Sequence, residues 1–132
     1  MIAKFYRAPD GSEPVAALLD GLPAEARFVL NNQIRRLNLL TDESPHLPHP
    51  HSSQVEGELR ELRCHYGSTL YRVLYRRSGP FVVLLHIFTK RTAKIPEAEK
   101  KIARDRWEDF RRRMDAEPRT PPRPIGHDAP RS

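Results

Sequence analysis

Apolar residues recur at helical spacing early in the chain, alternate two by two through its middle, and return to helical spacing near the end. Residues 2–7 alternate weakly, as a first strand would. Asp10-Gly11-Ser12 reads as a turn, with Ser12 as N-cap and Pro14 in the first turn of a helix whose Val15, Leu18, Leu19 and Leu22 share a face. Pro23 restarts the chain into a longer helix with Ala26, Leu30, Ile34 and Leu37 on one stripe. Pro45, Pro48 and Pro50 make residues 41–53 a loop. Residues 59–65, 69–77 and 81–90 read as strands, and the short turns at Tyr66-Gly67-Ser68 and Ser78-Gly79-Pro80 predict an antiparallel meander.

Alternation then sorts side chains by face. In the middle strand Leu70, Arg72, Leu74 and Arg76 lie opposite Tyr71, Val73, Tyr75 and Arg77. In the last strand Val82, Leu84, His86, Phe88 and Lys90 lie opposite Val83, Leu85 and Ile87. That strand is apolar on both faces, so it is expected to be central and covered. Pro96 leads into a final helix, 97–116, with Ala98, Ile102, Trp107, Phe110 and Met114 along one stripe. Five prolines and few apolar residues make 117–132 a disordered tail. The expected fold is an α+β domain over 1–116: a small, twisted, mainly antiparallel sheet with an N-terminal helical hairpin and a C-terminal helix packed on it.

Composition narrows the class. The 132 residues suffice for one core. No apolar run reaches the length of a membrane span, and residues 1–6 lack the apolar region of a secretory signal, so a cytoplasmic protein is expected. Cys64 is the only cysteine, which excludes a disulfide framework and a cysteine metal site. His46, His49 and His51 fall in the proline-rich loop, where an extended chain gives no rigid frame for a metal. The net charge of +6 is uneven: −2 over residues 1–60 and +8 over 61–132. A basic half favours a polyanionic partner, although solubility explains such a charge equally well.

The candidate chemistry lies on the strands. Arg63 and Arg72 stand among apolar and aromatic residues, and Lys90 and Arg91 end the last strand. Guanidinium groups grip two phosphate oxygens and stay charged, which suits a phosphodiester. His86 is the general-base candidate by its residue type. Tyr71, Arg76 and Lys94 are candidate RNA contacts around these cations, and Lys100-Lys101 and Arg111-Arg112-Arg113 are candidates for an RNA backbone. Whether Arg63 and Arg72 share a face depends on strand register. The competing role for both arginines is an ion pair with Glu56, Glu58 or Glu61.

The strings Glu61-Leu62-Arg63, Tyr71-Arg72-Val73-Leu74-Tyr75 and His86-Ile87-Phe88-Thr89-Lys90-Arg91, with the Leu22-Pro23 step before the long helix, resemble the RelE superfamily of bacterial toxins, in its phage-derived, HigB-like branch. The likeness spans about residues 2–105. It implies the toxin of a type II toxin–antitoxin system: a ribosome-dependent mRNA endoribonuclease that needs no metal or other cofactor and is held in a hetero-oligomer by a helix-turn-helix antitoxin. In that chemistry the substrate 2′-hydroxyl attacks the adjacent phosphate, leaving a 2′,3′-cyclic phosphate and a 5′-hydroxyl. Arg72 matches the arginine that contacts the scissile phosphate, Arg63 the arginine of the ELR strand, and Lys90 and Arg91 the cations near the leaving group. The chain departs from the family after Arg91, where several members have a Tyr or His general acid. It offers Lys94 and Glu97, and no Tyr or His before His127. A non-catalytic RNA- or protein-binding module is the alternative.

Overall fold

The computed structural model describes residues 1–89 and 94–130. Its elements are β1 (Ile2–Tyr6), α1 (Pro14–Asp20), α2 (Ala24–Ile34), a 3-10 turn (Arg35–Leu39), β2 (Ser52–Glu56), β3 (Leu59–Tyr66), β4 (Thr69–Ser78), β5 (Phe81–Thr89), α3 (Glu97–Asp115) and β6 (Ile125–Asp128). They form an α+β fold on one mixed sheet, ordered β2-β3-β4-β5-β1-β6. The meander β2–β5 is antiparallel, as its short turns require, and β1 runs parallel to β5.

Each sheet face has its own core. On one face Leu62, Cys64, Val73, Tyr75, Val82, Leu84 and Ile87 pack under Val15, Ala16 and Leu19 of α1 and Leu30 and Ile34 of α2. On the other, Leu59, Leu74, Val83, Leu85 and Phe88 pack under Ala103, Trp107 and Phe110 of α3. Trp107 is therefore a core anchor, stacked on Phe110 with centroids 5.4 Å apart. Of the α1 stripe, Leu18 lies 40% exposed.

Four local expectations are corrected. The loop expected over 41–53 ends earlier, because Ser52–Glu56 form β2, a fourth meander strand antiparallel to β3. Ser12 does not cap α1; its N–H and hydroxyl both bond Asp10 in the preceding turn, at 2.9 and 2.6 Å. Strict alternation fails in β5, because the β4–β5 register shifts between Leu74 and Tyr75. The extra residue of this bulge puts Val82 and Leu84 on the α1/α2 face with Ile87, and Val83, Leu85 and Phe88 on the α3 face. The segment 117–132, expected to be disordered, contributes β6, antiparallel to β1.

Polar ties hold that tail. Asn38 accepts from the Ala3 N–H and donates to the Ala129 carbonyl, each at 2.9 Å. Glu13, buried, accepts from Arg7 at 3.1 Å and from the His127 N–H at 3.0 Å. A Cβ at Gly126 would stand 2.6 Å from the Glu13 carboxyl carbon, so this close approach requires glycine. On the other face Tyr6 donates to Asp109 at 2.6 Å, and Arg113 grips both Asp109 oxygens while donating to the Pro122 carbonyl. Arg113 is thus a structural lock rather than a contact for an outside phosphate.

Burial first, and then the Asp109 carboxylate, push the Tyr6 phenol up to about 12. Folding favours the neutral phenol, so its stabilisation is complete below about pH 10 and is lost as pH rises from about 10 to about 12. Thermal unfolding should show the wild-type Tm falling through that window more steeply than that of Tyr6→Phe. Parallel curves would show that the phenol is not linked to folding.

Candidate functional site

Register answers the question that sequence left open. Arg63 and Arg72 are direct cross-strand partners in the β3–β4 pair, and directly opposed residues project to the same face. That face is the one covered by α3, because Leu74 and Phe88, the β4 neighbour and β5 partner of Arg72, pack there. Two cations facing each other across a ladder would repel, and a shared anion compensates them. Glu61, two residues before Arg63 on the same face, accepts from Arg63 Nε at 2.8 Å and stands 3.5 Å from Arg72 Nη1. The Ser53 hydroxyl on β2 donates to the same carboxylate at 3.0 Å.

The two arginines differ in access. The Arg72 side chain is 2% exposed and that of Arg63 25%. Arg72 is therefore a buried cation behind the carboxylate, and Arg63 is the one an outside anion can reach. Together with Glu61 they amount to about one net positive charge, placed in a low-dielectric setting where it acts strongly.

The remaining sequence candidates scatter. His86 lies on the α3 face, but its Nε2 is paired with Glu99, its Nδ1 is 3.4 Å from Arg106 Nη1, and its ring stacks on Phe88. Burial lowers its pKa, with the Glu99 carboxylate opposing. With both nitrogens engaged, it is a core histidine rather than an open base. Tyr71 projects to the opposite face and packs against the core under the helical hairpin, so it does not join Arg72. Arg76 shares the face but is four residues along β4, about 13 Å away; it donates to Glu58 at 3.0 Å and covers the Trp107 ring at 4.5 Å. Lys94 is exposed just before α3. Lys90 and Arg91 lie outside the described residues. In the histidine-bearing loop, His51 Nδ1 sits 3.2 Å from Arg36.

The register adds one candidate that the sequence reading passed over. His65 is two positions beyond Arg63 on β3, so it shares the face of Glu61 and Arg63 at the open end of the strand. Its backbone N–H donates to Gln33 Oε1 at 3.0 Å and its carbonyl accepts from Gln33 Nε2 at 2.9 Å, which pins the strand end to α2. Its imidazole is exposed and makes no hydrogen bond or ion pair among the described residues. The alternation Glu61, Arg63, His65 was the available signal.

Residues 17–108, which hold β2–β5 and most of α3, match the family model described as phage-derived protein Gp49-like. The chain is also 33% identical over 110 residues to a protein named "Probable endoribonuclease HigB1" from Mycobacterium tuberculosis, in strains CDC 1551 / Oshkosh and H37Rv, across 83% of this chain and 84% of that protein.

Removing one partner from a buried ion pair costs about 3–5 kcal/mol, because the other charge stays desolvated. Glu61→Ala should lose that much in urea unfolding at pH 7, and Glu61→Gln, which keeps the hydrogen-bonding shape, distinctly less. Equal and small losses would mean that the carboxylate does not hold the arginines.

Proposed function

The chain belongs to the phage-derived Gp49-like family of RelE/HigB-like toxins, and from that membership we propose that it is the toxin of a type II toxin–antitoxin system, an endoribonuclease acting on mRNA. The observation that carries this reading is the opposition of Arg63 and Arg72 across one carboxylate on a single sheet face. The proposed partners are a helix-turn-helix antitoxin, and the ribosome with its mRNA in the cytoplasm. Docking on the ribosome would align the substrate, which this sparse site does little to activate by itself.

In the mechanism we infer, the Arg63 fork takes two oxygens of the scissile phosphate. It stabilises the charge that grows as the 2′-oxygen attacks. Arg72 and Glu61 act through Arg63, holding its guanidinium in place, so they are positioning residues. Lys90 and Arg91 are the proposed cations for the leaving group, on the family resemblance alone. His65, in place of His86, gives its proton to the departing 5′-oxygen. The 2′-hydroxyl loses its proton to solvent as the 2′-O–P bond forms and the P–O5′ bond breaks, and the imidazole recovers a proton from water. The products are a 2′,3′-cyclic phosphate and a 5′-hydroxyl. No metal enters any step.

A non-catalytic binding module remains the second reading, favoured by one observation: Glu61 cancels half of the arginine charge. Induced expression separates the two. Wild type should arrest growth with mRNA cut at defined codon positions, and Arg63→Ala should lose about a hundredfold in cleavage rate. Arrest without cleavage would favour binding, and efficient cutting of free RNA without ribosomes would reject the ribosome-dependent mechanism.

The proton donor has a separate test. An mRNA bearing a 5′-thio leaving group at the cut needs no general acid. His65→Ala should cut ordinary mRNA about 10²–10⁴-fold more slowly yet cut the thio substrate nearly as fast as wild type. Equal losses on both substrates would make His65 structural.

A further inference from the structure

Helices α1 and α2 leave an open groove of about 570 Å³ between them, on the sheet face opposite the arginine cluster. Phe5, Ala16 and Leu19, buried members of the core on that face, form its floor. Phe28 of α2 lines it and stays 67% exposed, although Ala26, Leu30 and Ile34 of the same helix are buried. One exposed ring by itself is ordinary, but a ring left in water over an open groove marks a contact surface. Arg27 and Arg35 line the same groove, just over two helical turns and about 12 Å apart along α2. Arg27 donates to the Asp20 carbonyl at 3.2 Å and Arg35 to the Asn32 side chain at 2.6 Å, so each guanidinium is held by a neutral acceptor. Asn31 and Asn32 lie between them, and Asp20, at the Arg27 end, is the one carboxylate among the lining residues. The surplus charge of the groove is therefore positive and lies toward Arg35.

We propose that this groove docks an acidic amphipathic helix of a partner protein, with an apolar side chain against Phe28 and carboxylates on Arg27 and Arg35. On such a helix, carboxylates seven or eight residues apart span about 10–12 Å, which matches the two arginines. RNA fits less well, because its phosphates meet Asp20 with like charge and backbone binding draws on more cations than two. A second copy of this chain also fits less well, since a two-fold contact sets one cationic groove against another. The groove stands on its own chemistry, apart from the endoribonuclease reading. Where that reading holds, the antitoxin is the chain that carries the helix, docked across the sheet from Arg63 and leaving it uncovered.

The test titrates the purified full chain with a fluorescein-labelled helical peptide that carries a leucine midway between two glutamates eight positions apart. Anisotropy reads the affinity, and backbone amide NMR reads the place. Shifts should centre on Asp20 and on residues 27–35. Replacing both glutamates by lysine, or Phe28→Ser in the protein, should weaken binding at least about tenfold. Arg35→Glu should weaken the glutamate peptide likewise and regain affinity for a peptide with lysine at one of the two positions. Leu39→Ser, which removes an exposed leucine outside the groove, should bind as wild type does. No binding, an affinity indifferent to peptide charge or to Phe28, or shifts elsewhere overturns the proposal. Tighter binding of a single-stranded RNA 12-mer at these residues overturns it too, as does self-association of the chain that Phe28→Ser abolishes. Absence of wild-type mRNA cleavage rejects the endoribonuclease reading alone, and the binding result decides the groove either way.

Discussion

A single buried carboxylate makes the arginine-bearing face possible. Arg63 and Arg72 oppose each other on adjacent strands, a placement that like charges resist, and Glu61 between them turns repulsion into a bridged cluster. The cost of desolvating Arg72 is met locally rather than by the apolar core around it. The same bridge fixes the direction of the Arg63 fork. A guanidinium already aimed loses less on meeting an anion than one that must first be ordered. Stability and candidate chemistry therefore rest on the same three side chains.

The sheet supplies the frame for this cluster by being covered on both faces. Helices α1 and α2 bury one face and α3 most of the other, and the polar cluster lies toward the β2 edge. The bulge in β5 matters here. It turns Phe88 toward α3, beside Arg72, and brings His86 within reach of Glu99 and Arg106. With regular pairing, Phe88 would project with Leu84 toward the helical hairpin. A one-residue change in register thus decides which side chains surround the buried cation.

Much of the positive charge in the second half of the chain is spent inside the protein. Arg113 ties Asp109 and Tyr6 to the Pro122 carbonyl, Arg104 bridges Glu56 and Glu97, and Arg76 covers Trp107. Among the described residues, the cations near the candidate site that keep outward access are fewer: Arg63 and Lys100. This is why a count of lysines and arginines pointed to a polyanion without showing where one would bind.

By itself the sequence determined the α+β class, the order of β1, the helical hairpin, the antiparallel strands β3–β5 and the final helix, though not β2, together with the helical stripes of Leu30, Ile34, Trp107 and Phe110, and the family, because these follow from local periodicity and contiguous strings of residues. It also marked Arg63 and Arg72 as unusual strand residues. Only the tertiary structure decided that they share a face, that Arg72 is buried and Arg63 open, and that His86 is engaged while His65 is not. It alone showed that β6 closes the sheet, since four residues with little apolar character pair with β1 and are held by Glu13 and, through the adjoining Ala129, by Asn38, all more than eighty positions away. The division is physical: periodicity is written in neighbouring residues, whereas register, bulges and ion-pair partners are settled by energies between segments distant in sequence.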